Sequence, residues 1–256
     1  MSEHPFPLLD VEVVLPAYRK GSVILGALSG VSEQLDSTGL SYRQIVVIDG
    51  DVDGTANLLH AASVPNCTVI PKAENTGKGD ALRWGIGCTT APLVALFDAD
   101  LDVDPEFLSR GLRLMRQEHE LAGVIGSKRH PDSVLEYPLA RRVLSRLYLL
   151  LAKAFVGVSV SDTQTGAKIF RGEALRFYAA QVRADGVAFD LELLALLESD
   201  GLKVSEIPIQ ITHDLFGSSM SLRIGFLALR DLVFVRRSLM TRNERETQRE
   251  APKTGH

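Results

Sequence analysis

Asp98-Ala99-Asp100 stands directly after the apolar run 92–97, and two carboxylates at that spacing can approach one divalent cation, directly or through water. Mg2+ or Mn2+ suits such oxygen ligands. A cation held there could join the two phosphates of a nucleotide diphosphate and stabilise the charge gathering on a diphosphate leaving group. Solvated turn carboxylates explain most isolated Asp-x-Asp matches, so the strand-like run in front of this pair is what gives it weight.

Other polar groups also follow apolar runs. Pro16-Ala17-Tyr18-Arg19 closes the first run and Asp49 the second, with Asp51 and Asp53 just beyond. Asp49 is read as a nucleotide contact; Asp53, ahead of Gly54-Thr55, serves equally well as a helix cap. Asn75-Thr-Gly-Lys78-Gly79 could bring backbone N–H groups and the Lys78 ammonium to a phosphate, although it lacks the length and terminal hydroxyl of an ATPase phosphate loop, and a plain turn is the alternative. Asp80 and Arg83 could orient sugar or diphosphate, or simply cap and pair on a helix surface. A second basic set, Arg129 with Arg141 and Ser145, could hold an acceptor phosphate, the last two sharing a helix face. A solvated helix face explains any one of these equally well.

The elements that must position these groups alternate. Val11–Pro16, Gln44–Ile48, Cys67–Ile70 and Pro92–Phe97 read as buried parallel strands, separated by helices at Ser22–Leu35, with Ser22 as cap, at Thr55–Ala62 and at Gly79–Gly87. That order predicts an α/β domain with a mainly parallel sheet, whose ligand loops lie beyond the carboxyl ends of the strands. A second cycle starts at Leu121–Gly126 and leads to the basic segment 128–130. Pro138 opens a helical region, Gly157–Gly166 is a polar loop, Lys168–Phe170 a short strand, 172–180 and 190–199 helical, and 203–212 extended, with Pro208 favouring a sheet edge. Leu222–Arg237 is the last predicted helix and 241–256 a loose polar tail. A donor-binding part at about 10–120 and an acceptor-binding elaboration at about 121–240 make one domain.

Bulk properties fit this reading. Apolar content of 45% and charged content of 23% describe an ordinary globular chain, and the net charge of −4 hides an Arg-rich stretch from Arg223 to Arg249. Cys67 and Cys88 alone make no disulfide framework or thiolate zinc site and favour a reducing compartment. The N-terminus does not read as a secretory signal. The longest apolar stretch, Leu147–Val160, is interrupted by Lys153 and short for a bilayer, which leaves a buried helix or one resting on a membrane surface.

Taken in order, Pro16-Ala-Tyr18, Asp49 to Thr55, Asn75-x-Gly-Lys-Gly79, Phe97-Asp-Ala-Asp100, Ile125-Gly-Ser-Lys-Arg129 and Ser161-Asp-Thr-Gln-Thr-Gly-Ala-Lys-Ile-Phe170 resemble the family-2 glycosyltransferases with a GT-A fold. Within that family the set is most similar to the dolichyl- and polyprenyl-phosphate sugar synthases, over roughly residues 10–220. The resemblance implies Asp98, Asp100 and Gln164 as the metal site, and Pro16, Ala17, Tyr18, Asp49, Lys78, Asp80, Ala99, Gly217 and Ser218 around the donor. It places Arg129, Arg141 and Ser145 at a lipid phosphate and Asp190, with Glu192, in a late acidic motif near a substrate pocket. Asp98, Asp100, Arg129, Arg141, Ser145 and Asp190 form the implied catalytic set. Two departures fall where base and ribose are held: Arg19-Lys20 replaces the family's Asn-Glu after Pro-x-Tyr, and Ile48-Asp49 replaces two adjacent aspartates.

The implied chemistry is inverting transfer of mannose or glucose from GDP-mannose or UDP-glucose to polyprenyl or dolichyl phosphate, with Mg2+ or Mn2+. A phosphate monoester, with a second pKa of about 6, is already ionised near neutral pH, so a strong protein base is unnecessary and neither His130 nor His213 is required as one. A cytoplasmic chain, peripheral on an anionic membrane face and without a nucleic-acid partner, is the implied setting. A family-2 enzyme with a soluble acceptor and a non-catalytic nucleotide-sugar sensor are the competing readings.

Overall fold

The computed structural model describes residues 9–100, 102–134, 149–186, 188–211 and 230–242. Seven strands form one sheet: β1 (Val11–Ala17), β2 (Tyr42–Asp49), β3 (Cys67–Lys72), β4 (Leu93–Phe97), β5 (Leu121–Ser127), β6 (Ala167–Arg171) and β7 (Lys203–Pro208). Their order across the sheet is β3-β2-β1-β4-β6-β5-β7. All run parallel except β6, which is antiparallel to both neighbours. β1, β2 and β4 are buried almost throughout, with apolar runs at their centres, because helices cover both of their faces. β7 is an edge strand, where Pro208 costs no ladder bond, as its sequence indicates.

Helices α1 (Ile24–Asp36), α2 (Thr55–Ala62) and α4 (Glu106–Gln117) cover one face, and α3 (Lys78–Gly87), α5 (Gly172–Ala179) and α6 (Ala188–Ser199) the other. Side-chain alternation divides the core: Val11, Val13, Leu15 and Ala17 of β1 pack with α1 and α4, while Val14 packs with α3 and α6. Helical residues 149–156 and 230–242 lie on the α6 side, where Ala152, Leu232 and Val235 are buried.

Three local expectations change. Ser22 is not the cap of α1; the helix begins at Ile24, and the N–H groups of Val23 and Ile24 both donate to the Lys20 carbonyl at 2.9 Å. A tight turn from Lys20 therefore does the work of a capping hydroxyl. Helix α4 was not anticipated, yet Phe107, Leu108, Gly111, Leu112 and Met115 make a clear buried stripe. Thr241 and Arg242 belong to the last helical segment rather than to a tail. The predicted helix from Pro138 falls largely, and that over 222–229 wholly, outside the described residues. Among the described residues no helix is long and apolar enough to cross a membrane.

Register brings the polar groups to one edge. Ala17 pairs with Ile48, Asp49 with Lys72 and Phe97 with Ala167, so the ends of β1 to β4 and the start of antiparallel β6 share that edge with the end of β5.

Candidate active site

Asp98 and Asp100 emerge from the end of β4 with side chains 31% and 25% exposed. Neither stands alone. Lys78 Nζ, at the start of α3, lies 2.6 Å from Asp98 Oδ1, and Lys20 Nζ, just after β1, donates to Asp100 Oδ2 at 3.1 Å. Asp190 Oδ2, at the start of α6, is 4.0 Å from Lys78 Nζ, and its Oδ1 is 3.0 Å from the Nζ of buried Lys168 on β6. Lys168 also donates to the Thr165 carbonyl. Four oppositely charged side chains from β4, α3, α6 and β6 thus run from the open edge into the core.

This alternation decides the protonation states. Burial on its own would raise the Asp98 pKa, but Lys78, with Lys168 and Lys128 farther off, outweighs it and holds the carboxyl below the usual range. Burial would lower the Lys78 pKa, and Asp98 and Asp190 more than reverse it. Asp102, two residues past Asp100, shifts the other way, raised by burial and then by the Asp100 charge. Asp98 is therefore an ionised carboxylate matched by the Lys78 ammonium.

The loop 161–166 closes over Asp98. The Asp98 N–H donates to the Gly166 carbonyl at 2.8 Å, and a Cβ on Gly166 would lie 2.3 Å from Asp98 Oδ2, so only glycine fits there. Gln164 is exposed two residues earlier, its N–H donating to Asp162 Oδ1. Glu206 of β7 anchors the start of the loop by accepting from the Ser161 N–H and hydroxyl and the Asp162 N–H. The Arg129 guanidinium donates to the Ser161 carbonyl, and the Lys128 N–H to Asp162. Arg129 thus ties the end of β5 to this loop.

Asp49 organises the neighbouring loop. Its two oxygens accept from Lys72 Nζ (2.8 Å), the Thr76 N–H (3.0 Å) and the Gly77 N–H (2.7 Å). Burial raises its pKa, but Lys72 and the two amides prevail and lower it. The amides of the Asn75–Gly79 turn at 76 and 77 therefore point at Asp49, and the Lys78 ammonium at Asp98, so this turn is not the open phosphate cradle its glycines suggest. Gly79 meets a packing need instead, since a Cβ there would lie 2.9 Å from that of Phe189. Asp80 joins Lys72 and Thr76, while Arg83 donates to the Ala184 carbonyl at 2.8 Å and pairs with Asp185, the pairing role that the sequence left open beside a sugar contact.

Pro16 and Ala17 end β1 beside β2, and Tyr18 is exposed with the Arg19 guanidinium over its ring. Ala99 is buried between the two aspartates. Asp53 accepts from the Thr55 N–H and hydroxyl and the Gly21 N–H, a turn role that ties the start of α2, whose N-cap is Gly54, to the loop after β1. Glu192 lies in the core and accepts from the Arg183 and Ala184 N–H groups, so it shapes a loop rather than facing a pocket. Arg141, Ser145, His213, Gly217 and Ser218 lie outside the described residues. Sequence reading missed Lys20, Lys72, Lys168 and Glu206. A lone lysine in the apolar run Ala-Lys168-Ile-Phe was the available signal, because a buried ammonium requires a buried carboxylate.

The family model for glycosyl transferase family 2 matches residues 12–178. The dolichyl-phosphate beta-glucosyltransferase of Dictyostelium discoideum is 25% identical over 249 residues, covering 90% of this chain and 76% of the relative. The enzyme of the same description from Drosophila melanogaster is 29% identical over 245 residues, covering 90% and 75%. Among solved structures, Mycobacterium tuberculosis glucosyl-3-phosphoglycerate synthase with Mn2+, UDP-glucose and phosphoglyceric acid superposes with a TM-score of 0.65 at 18% identity, over 89% of this chain and 80% of that one. The shared architecture is the GT-A fold.

Proposed function

The chain belongs to glycosyl transferase family 2, and from that premise we propose that it transfers a hexose, with inversion, from a nucleotide diphosphate sugar to dolichyl or another polyprenyl phosphate. The observation that carries the reading is the pair Asp98 and Asp100 at the end of β4, open to solvent and matched by Lys78 and Lys20. The names of the Dictyostelium and Drosophila relatives support the lipid-phosphate acceptor, and with the UDP-glucose held by the M. tuberculosis enzyme they favour UDP-glucose over GDP-mannose as donor.

The donor set fits Mg2+ or Mn2+: two carboxylates with accessible oxygens at the mouth of the site, and Gln164 in the loop that closes on Asp98. When bound, the cation supplies charge neutralisation at the diphosphate leaving group. The chain's own residues do the rest. Lys78 and Lys20 bring positive charge to where a diphosphate would lie, and buried Asp190 positions Lys168 and Lys78. Tyr18 and Asp49 frame the nucleotide side; Arg129 and Lys128 lie on the acceptor side. An acceptor phosphate oxygen bonds to the anomeric carbon as that carbon's bond to the diphosphate breaks, and the electron pair leaves with the diphosphate. No proton needs to move, because the acceptor is already ionised.

An anionic membrane face is the proposed location of the acceptor. Helical residues 149–156 expose Leu150 and Phe155 beside Lys153, and residues 230–242 expose Val233, Phe234 and Met240 beside Arg230, Arg236 and Arg237. Apolar groups flanked by cations suit the headgroup boundary.

The test is transfer of labelled sugar from UDP-glucose or GDP-mannose to detergent-solubilised polyprenyl phosphate, with and without Mn2+. One metal-dependent lipid-phosphate glucose product is expected. Transfer from GDP-mannose alone would correct the donor, transfer only to soluble phosphates would correct the acceptor, and donor binding without any transfer would leave a sensor.

A further inference from the structure

Position 20 sets the charge that stands beside Asp100. After Pro16-Ala17-Tyr18 this chain has Arg19-Lys20, and the Lys20 ammonium lies 3.1 Å from Asp100. A glutamate there would join Asp98 and Asp100 as a third negative charge. With lysine, Lys20 pairs with Asp100 as Lys78 pairs with Asp98, so each of the two aspartates has an ammonium partner before any ligand arrives.

We propose that Lys20 is a built-in counter-ion that holds Asp100 in the donor-free protein and makes binding of the divalent cation depend on the nucleotide diphosphate. The inference rests on the transferase reading above. A cation approaching alone must displace the ammonium from Asp100 and leave it close to a like charge. A diphosphate gives that ammonium a second anionic partner, so the carboxylate is released when the cation arrives with the donor. By reciprocity, metal and nucleotide then each tighten the other's binding.

The local structure suits an exchange carried by one side chain. The Lys20 carbonyl is fixed by the N–H groups of Val23 and Ile24, and the Gly21 N–H by Asp53, so the backbone is held while the four-carbon stem swings. The pair is about a quarter exposed on both sides, and ion pairs at such exposure add little stability, so breaking it requires no rearrangement of the fold.

The test is Mn2+ binding followed by electron paramagnetic resonance, for the parent, Lys20→Met, Lys20→Glu and Lys20→Arg, without nucleotide and with UDP after subtraction of the protein-free Mn2+–UDP complex. Without nucleotide, Lys20→Met should bind Mn2+ roughly tenfold tighter than the parent and Lys20→Glu tighter still. Lys20→Arg keeps the charge and should stay near the parent. The tightening caused by UDP should shrink from the parent to Met to Glu. Equal Mn2+ affinity without nucleotide across parent, Met and Glu overturns the inference and leaves the metal site standing. Absence of Mn2+ binding in every variant, with or without UDP, overturns the metal-dependent reading and the inference with it.

Discussion

At the start of β1, Glu12 is fully buried and both of its oxygens are taken: Arg43 Nε donates to one at 2.9 Å, and the Thr90 and Ala91 N–H groups to the other at 2.5 and 2.8 Å. Nearby, Arg171 at the end of β6 donates to the carbonyls of Met115, Glu118 and Leu121. At the opposite edge of the same sheet, Asp98 and Asp100 pair with flexible lysine side chains and keep part of their surface in water. Both edges obey the rule that buried charge needs a partner. At the first the partners are largely backbone groups fixed by the fold, so compensation is permanent. At the second they are ammonium ions that a phosphate or a cation can replace, so compensation can be exchanged, and an exchangeable charge is what a binding site requires.

Substitution at each edge should therefore fail in a different way. Asp98→Asn is expected to lower sugar transfer by roughly 10²- to 10³-fold, the scale of losing one transition-state charge partner, with a melting temperature within a few degrees of the parent. Steady-state transfer assays beside thermal melts read both quantities; normal turnover in a folded Asp98→Asn protein would remove this edge from the chemistry. Glu12→Ala should do the reverse. It strips Arg43 and two amides of their acceptor and should cost about 3 kcal/mol in urea unfolding, while the folded fraction keeps its specific activity. If Glu12→Ala abolished transfer without loss of stability, the two edges would not differ as described.

How much of this contrast could be read beforehand depends on distance along the chain. The strands were legible because β1, β2 and β4 are buried on both faces and so carry apolar runs, interrupted only by Glu12 in β1 and by Arg43 and Gln44 near the start of β2. The position of Asp98 and Asp100 followed from β4 alone. Helix α4 was overlooked although its buried stripe is periodic, because Arg110, Arg113 and Arg116 are interleaved with it and give the segment a charged look. The pairings themselves were out of reach: Lys20 and Asp100 are 80 residues apart, and only the β1–β4 register brings them together. The same holds for Asp49, whose partners at Thr76 and Gly77 come from a loop after the next strand.

Asp49 lies at the exchangeable edge but behaves like the fixed one, and pH can place it. Its folded pKa is lowered, so its contribution is present above the ordinary carboxylate value and is lost as pH falls through the lowered one. Burial lowers the Lys72 pKa, but Asp49 and Asp80 reverse this and the net shift is upward, so the lysine contribution is full below its ordinary value and declines only as pH rises past it. Asp49→Asn should thus lose about 2 kcal/mol at neutral pH, and the gap to the parent should narrow below about pH 4. Unfolding midpoints measured from pH 3 to pH 8 test this. A gap that stays constant across that range would mean that shape rather than charge holds the loop.

The smallest expected effect concerns the turn that carries Lys20. Arg19 has φ of 54°, in the left-handed region, which Gly and Asn tolerate better than Arg. Its guanidinium over the Tyr18 ring, 5.2 Å from the centroid, offsets part of the cost. Arg19→Gly removes both the strain and that contact, so a net stabilisation of up to about 1 kcal/mol is expected in urea unfolding. Arg19→Asn, which keeps a side chain that accepts the turn, should fall between parent and glycine. Because the backbone at Lys20 and Gly21 is held independently, neither change should alter the ratio of Mn2+ affinities with and without nucleotide. A shift in that ratio with Arg19→Gly would mean that the strained turn, and not the Lys20 charge alone, sets how readily Asp100 is released.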